Sequence, residues 1–200
     1  MKRILSLLGL LVAAAAPGAF AQRPAYSDTT TDHVEVGAYG NFFRLNSQNI
    51  DFGGLGGRAG FNVSPYVQIE AEMGYDFKRA FPETFSNGAT FSVVDSNMRV
   101  LHGLFGPKFQ TNRGPVRLFV TVKGGFDEFI FDPRPASFGA FASSVQGLRA
   151  SNVKGAVYPG LGAEAFWGPI GLRLDVGDEI YFANGARNNL RIAFGPSIRF

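Results

Sequence analysis

The chain has 200 residues, of which 46% are apolar, 19 are basic, 16 are acidic and none is cysteine. Without thiols, disulfides, thiolate metal centres and a lipid on an N-terminal cysteine are all excluded. The charge is too evenly balanced for a nucleic-acid binder, since Lys2 and Arg3 belong to a leader and setting them aside leaves 17 basic residues against 16 acidic.

That leader comes first. Lys2 and Arg3 form a positive n-region, ILSLLGLLVAAAA an apolar stretch, and Ala19-Phe20-Ala21 a small-x-small cleavage site. Residues 1–21 are therefore expected to be a signal peptide cut after Ala21, exporting the rest. The apolar stretch is shorter than the ~20 residues a spanning helix needs, and no later stretch supplies one.

From residue 33 onward the pattern changes to a period of two, and no convincing helical periodicity is found. HVEVGAYGNFF (33–43) is the first strand and GRAGFNV (57–63) belongs to the second. The turn Ser64-Pro65-Tyr66 leads into the clearest strand, VQIEAEMGYDF (67–77), where Val67, Ile69, Ala71, Met73, Tyr75 and Phe77 alternate with Gln68, Glu70, Glu72, Gly74 and Asp76. A long connection is expected over 78–96, followed by a strand containing LFGPKF (104–109). Arg113-Gly114-Pro115 opens the next strand at Val116, and a second long connection spans 132–151. GLGAEAF (160–166), the turn Trp167-Gly168-Pro169, IGLRLDVGDEIYF (170–182) and NNLRIAFGPSIRF (188–200) complete the series.

The prolines at 65, 115 and 169 recur about every 50 residues, each at a strand start, where a missing N–H removes no ladder bond. LFGPKF echoes AFGPSIRF (193–200), so a hairpin repeat of two strands per unit runs through the chain. The count is eight strands, each about the 9–11 residues that cross a membrane at a tilt. Short turns lie at one end; longer connections, at 44–54, 78–96, 132–151 and 183–189, lie at the other.

Three features set the apolar face outward. It carries residues such as Leu55, Phe61, Met73, Val120, Leu161 and Phe194, too bulky for the narrow interior of an eight-stranded barrel. The polar face carries Gly60, Gly106, Gly162 and Gly195, and small residues suit converging walls. Its charges also balance: Glu35, Glu70, Glu72, Asp76, Asp127, Glu164, Asp175 and Glu179 stand against Arg58, Lys108, Arg117, Lys123, Lys154, Arg173, Arg191 and Arg199. The chain prefers arginine, 14 to 5 lysines, and arginine's planar fork suits confined carboxylates. A β-protein facing lipid must close on itself to satisfy its backbone. The expected fold is thus all-β, a closed antiparallel up-and-down transmembrane β-barrel of eight strands over residues 33–200, with 22–32 as an N-terminal periplasmic segment. Glu128 and Asp178 fall on the lipid-facing phase and are expected near or above the outer rim, while Pro107 and Pro196 require the periplasmic edge or a bulge.

The signal peptide, eight alternating strands, short turns and C-terminal Phe200 resemble the small outer-membrane barrel family of the OmpA transmembrane domain and OmpX. The resemblance implies the bacterial outer membrane as location, its lipids and lipopolysaccharide as surroundings, and the barrel assembly machinery as a partner in biogenesis. It also implies Phe194, Ile198 and Phe200 as the assembly signal. It departs from full-length OmpA, in which a peptidoglycan-binding domain follows the barrel.

Chemistry is sparse. There is no Gly-rich phosphate loop, no metal-spaced Cys/His cluster and no GxSxG, so no cofactor, metal or catalytic residue is expected. The two histidines are His33, at the start of the first strand, and His102, expected inward as a hydrogen-bonded lumen residue. Arg58, Glu70, Glu72, Lys123, Glu164, Arg173, Asp175 and Arg191 are expected to form an ion-pair network that plugs the lumen. Tyr26, Tyr66, Phe109, Phe166 and Trp167 read as one interface belt and Phe131, Tyr181 and Phe182 as the other. Phe81, Phe85, Phe138 and Phe141, in the long connections, are candidate contacts for an extracellular ligand. The expected role is structural or surface interaction through the loops. A narrow pore for ions or small solutes is the alternative, ahead of a lipid-modifying enzyme and a soluble ligand carrier.

Overall fold

The computed structural model describes residues 33–86, 91–111, 114–132, 142–143 and 153–200, with side chains at 83, 85, 86, 91, 92, 94, 132, 142 and 143 left aside. The signal peptide, its cleavage site, the segment 22–32, Phe138 and Phe141 lie outside these residues, as does the side chain of Phe85. The strands are β1 (Val34–Leu45), β2 (Ile50–Asn62), β3 (Val67–Ser86), β4 (Phe91–Gln110), β5 (Val116–Asp132), the two-residue β6 (Ala142–Ser143), β7 (Val153–Trp167), β8 (Ile170–Phe182) and β9 (Ala186–Arg199). Each barrel strand pairs antiparallel with its neighbours in the chain, and β1 also pairs with β9, which closes eight strands into a barrel. Val34 and Phe200 exchange backbone hydrogen bonds of 2.9 and 3.0 Å at the closing seam. β6 is an addition to the far end of β3.

The alternation read from the sequence is the alternation of burial. Leu55, Phe61, Met73, Val120, Leu161, Phe194 and Ile198 are exposed on the outer wall, while the eight acids of the polar face and their arginine and lysine partners, except the half-buried Lys154, are buried within. An exterior of bare apolar side chains around a charged interior suits lipid, not water.

The glycines on the inner face make room for large rings. A Cβ on Gly56 would lie 2.3 Å from the Tyr39 ring, one on Gly162 2.4 Å from Phe119, and one on Gly160 2.7 Å from Tyr158. Two Gly-Pro pairs, Gly106-Pro107 and Gly195-Pro196, are the echo seen in the sequence, and they do the same thing at different places. The β4–β5 ladder skips both residues of the first pair, passing from Phe105↔Gly124 to Lys108↔Thr121, and the β1–β9 ladder skips both of the second. Proline's missing N–H is thereby accommodated, and Thr121 Oγ1 donates to the Pro107 carbonyl at 2.9 Å. Neighbouring backbone presses in at each: a Cβ on Gly106 would lie 2.3 Å from the Val122 carbonyl, and one on Gly195 2.1 Å from that of Ala38. Gly106→Ala should therefore cost about 1–3 kcal/mol of barrel stability in denaturant titration. Gly124→Ala, where a Cβ meets nothing within 4 Å, should cost close to nothing.

The short turns are as read. β7 and β8 are joined by Gly168-Pro169 alone, with Gly168 at φ 65°, the positive value that a type II′ hairpin asks of its first residue. The opposite end differs from the sequence expectation. The connections expected at 44–54, 78–96 and 183–189 shrink to 46–49, 87–90 and 183–185, because the strands run on beyond the apolar belt. There the outer face no longer meets lipid and need not be apolar, so the alternation fades although the ladder continues. A register shift between Asp76 and Arg79 inserts one extra residue into β3 and exchanges its faces.

Candidate functional site

The lumen is filled in layers. At the short-turn end Phe166 lies between two guanidinium groups, 4.7 Å from Arg117 and 4.4 Å from Arg199. Arg117 Nε donates to the Gly114 carbonyl and Arg199 Nε to that of Gly168, tying the floor to the turns.

Above it is the ion-pair network. Lys108 Nζ reaches Glu164 at 2.5 Å, Glu70 at 3.5 Å and Glu35 at 3.8 Å. Arg173 forks onto both oxygens of Glu70 and contacts Glu164 at 3.2 Å and Asp175 at 2.8 Å. Lys123 bridges Glu70 (2.9 Å) and Glu72 (2.8 Å), and Arg58 pairs with Asp175 at 3.3 Å over the face of Tyr39. Tyr158 donates to Asp175 at 2.6 Å. Arg191 continues the chain, donating to Glu72 (2.7 Å), Glu179 (3.0 Å), Asn41 Oδ1 and the Tyr39 hydroxyl. All eight residues expected in the network, Arg58, Glu70, Glu72, Lys123, Glu164, Arg173, Asp175 and Arg191, are thus joined, with Lys108 and Glu35 added.

The next layer was not anticipated from the sequence as a cluster. His102 on β4 is hydrogen-bonded on both ring nitrogens: Nε2 to Asp76 Oδ2 at 2.8 Å, and Nδ1 to Asp127 Oδ1 at 3.2 Å and to Glu179. Asn41 Nδ2 donates to the other oxygen of Asp76 at 2.8 Å. Each member faces inward by strand parity, but their meeting depends on strand register, which carries no sequence motif.

The top layer is apolar. Phe43, Leu45, Phe52, Phe81, Met98, Val100, Phe129, Phe131 and Tyr181 form a buried cluster inside the barrel, with Phe43 edge-on to His102 at 4.9 Å and Phe129 edge-on to Tyr181 at 5.0 Å. The placement of four residues is corrected here. Phe81 is buried in β3 against Phe131, turned inward by the register shift, and is not a loop residue. Phe131 and Tyr181 belong to this cap, and Phe166 to the floor, so none of the three is an interface-belt residue. Tyr66, Phe109, Trp167 and Phe182 do face outward. Asp178 accepts from the Asn189 backbone at 2.8 Å and from the Asn188 side chain. Glu128 stands half-buried opposite Leu101. Phe194, Ile198 and Phe200 line the outer face at the seam, and His33 stacks on Phe61.

No protein-family model and no curated protein matches the chain. Solved structures do. Ail, the attachment invasion locus protein of Yersinia pestis, is 15% identical with a TM-score of 0.50, the match covering 84% of this chain and 97% of Ail. The N-terminal β-barrel domain of Pseudomonas aeruginosa OprF is 13% identical with a TM-score of 0.51 (84% and 98% covered), and Neisserial surface protein A is 11% identical with a TM-score of 0.53 (84% and 96% covered). At such identities the likeness is one of fold. By its closed eight-stranded ladder, its apolar exterior and these likenesses, the chain has the fold of the small outer-membrane β-barrels.

Proposed function

We propose that this chain is a bacterial outer-membrane protein with a closed lumen, acting as a structural or surface-interaction protein through its extracellular loops. One observation carries this reading: the lumen is occupied from floor to cap, first by paired charges and then by a buried aromatic cluster. An ion crossing it would have to break buried charge pairs and then pass an apolar constriction, and each step opposes permeation. The leader at 1–21 supports export, and the barrels that share the fold support the location, by analogy of fold alone. Phe85, which is not in a loop as the sequence suggests but at the far end of β3, paired with Ser92 and Ser143, and Phe138 and Phe141 are the remaining contact candidates for a ligand outside the cell. Phe194, Ile198 and Phe200 are the proposed signal to the assembly machinery. Catalysis is no part of the proposal, because the partners holding His102 are carboxylates rather than a nucleophile.

Planar-bilayer conductance of the refolded protein tests the proposal. The wild type should be silent, as should Arg173→Ala alone, since the aromatic cap remains; Arg173→Ala combined with Phe43→Ala and Phe129→Ala should give small openings. Steady wild-type conductance would instead favour the narrow pore and make the lumen itself the site.

A further inference from the structure

We propose that His102, Asp127 and Glu179 form a binding site for one divalent transition-metal ion in the lumen, beneath the aromatic cap. The site is built from β4, β5 and β8 and does not depend on whether the lumen conducts.

The first support is valence. Nδ1 of His102 carries either one hydrogen or one lone pair, yet two carboxylates, Asp127 and Glu179, converge on it. A single hydrogen serves one of them well. Among the described residues Asp127 Oδ2, fully buried, accepts no hydrogen bond from an N–H or hydroxyl donor, and without an ion only a proton shared with Glu179 would serve it. A buried carboxylate oxygen without a donor calls for a positive partner. The local charge makes the same demand: Asp76, Asp127 and Glu179 surround one imidazole, the nearest guanidinium, Arg191, is shared with Glu72, and the half-buried Lys154, opposite Asp127 in the β5–β7 ladder, makes no ion pair with it.

The second support is geometry. One ligand atom from each of the three residues lies within 4.8 Å of the others. The 3.2 Å between His102 Nδ1 and Asp127 Oδ1 is close to the edge, about 3.3 Å, of a tetrahedron around an ion with bonds of about 2.0 Å, whereas Glu179 lies closer to Nδ1 than that edge and has to draw back to admit the ion. The outer contacts are those that orient metal ligands. Nε2 of His102 points at Asp76, which directs the Nδ1 lone pair towards the two carboxylates, and Asn41 fixes Asp76 in turn. Arg191 holds the second oxygen of Glu179. A carboxylate behind a ligating imidazole both fixes its tautomer and raises its basicity. The Phe43 ring shields the histidine from one side.

The donor set, one imidazole and two carboxylates without sulfur, suits zinc, manganese or ferrous iron rather than copper(I) or an iron–sulfur cluster. Three protein ligands leave the fourth position to water.

The test is the metal content of the tag-free full chain, refolded in detergent with excess zinc or manganese and then stripped of free ion on a chelating resin. The expected result is about one equivalent per chain in the wild type and in His33→Ala, and loss of it in Asp127→Asn and Glu179→Gln. Asp76→Asn keeps all three ligands and should weaken binding about 10–100-fold. Bound zinc should also raise the thermal unfolding midpoint of the wild type. A folded wild type, shown by its β-sheet circular dichroism, that carries less than about a tenth of an equivalent of either ion would overturn the proposal; so would Asp127→Asn binding as tightly as the wild type. If the ligand variants do not fold, the wild-type stoichiometry and the Asp76→Asn affinity decide it.

Discussion

Arg173→Ala should lower the unfolding free energy of the barrel by about 3–5 kcal/mol, the cost of leaving buried charges without their partner. The side chain is 1% exposed and serves Glu70, Glu164 and Asp175 at once, while its guanidinium lies 4.2 Å from the Phe119 ring. Lys108 and Lys123 would still serve Glu70, Lys108 would serve Glu164 and Arg58 would serve Asp175, but among the described residues no cation would replace the fork that joins Glu70 to Asp175 in the buried lumen. Reversible unfolding in lipid vesicles measures this, with the single tryptophan, Trp167, as an outward-facing reporter. The exposed pair Arg44–Asp51, 3.3 Å apart, supplies the contrast. Arg44→Ala should cost at most about 1 kcal/mol, because water screens an exposed pair and replaces what is lost. A loss below about 1 kcal/mol for Arg173→Ala as well would mean that the lumen is hydrated, and the closed-lumen reading would fall with it.

Leu161→Arg should cost about 2–4 kcal/mol, since Leu161 sits near the middle of the outer apolar belt and lipid offers its charge neither water nor a counter-ion. Its cross-strand neighbours are Val120 and Val176, so no carboxylate is at hand. Phe182→Arg, at the far end of β8, should cost only about 0–1 kcal/mol, because a long side chain near the rim reaches the interface. The same vesicle titration separates the two. Equal, small losses would show that the exterior is not embedded at that depth, and would revive a soluble barrel.

The wall of this barrel was legible because its two solvents differ. Lipid outside and charge inside impose opposite residue types on successive positions, so Val67 to Phe77 reads directly as a strand with a known outer face. The contents of the upper lumen were not legible. Above the belt Phe129 and Phe131 point inward while Ile130 points outward, so both faces are apolar and the period vanishes. The long hairpin of β3 and β4 was hidden for a related reason: Arg79, Pro82 and Ser86 look like loop residues, and only backbone pairing shows them to be strand. The charged network could be anticipated residue by residue, since parity alone sets each member inward. The carboxylates around His102 could not be grouped in advance. They come from β3, β5 and β8, and their meeting at one ring depends on the stagger of the whole barrel.

The seam between β1 and β9 has a consequence in time as well as in space. Every other ladder of the barrel joins neighbouring strands and can form as soon as its hairpin exists, whereas this one joins the first strand to the last and must wait for nearly the whole chain. Contacts so distant in sequence are slow to find each other. During that wait β1 and β9 each present an unpaired edge, a template for any foreign strand that passes. The hazard for this protein is therefore concentrated between its penultimate pairing and its last, and a helper that held the two edges apart from other chains over that interval would protect the whole fold.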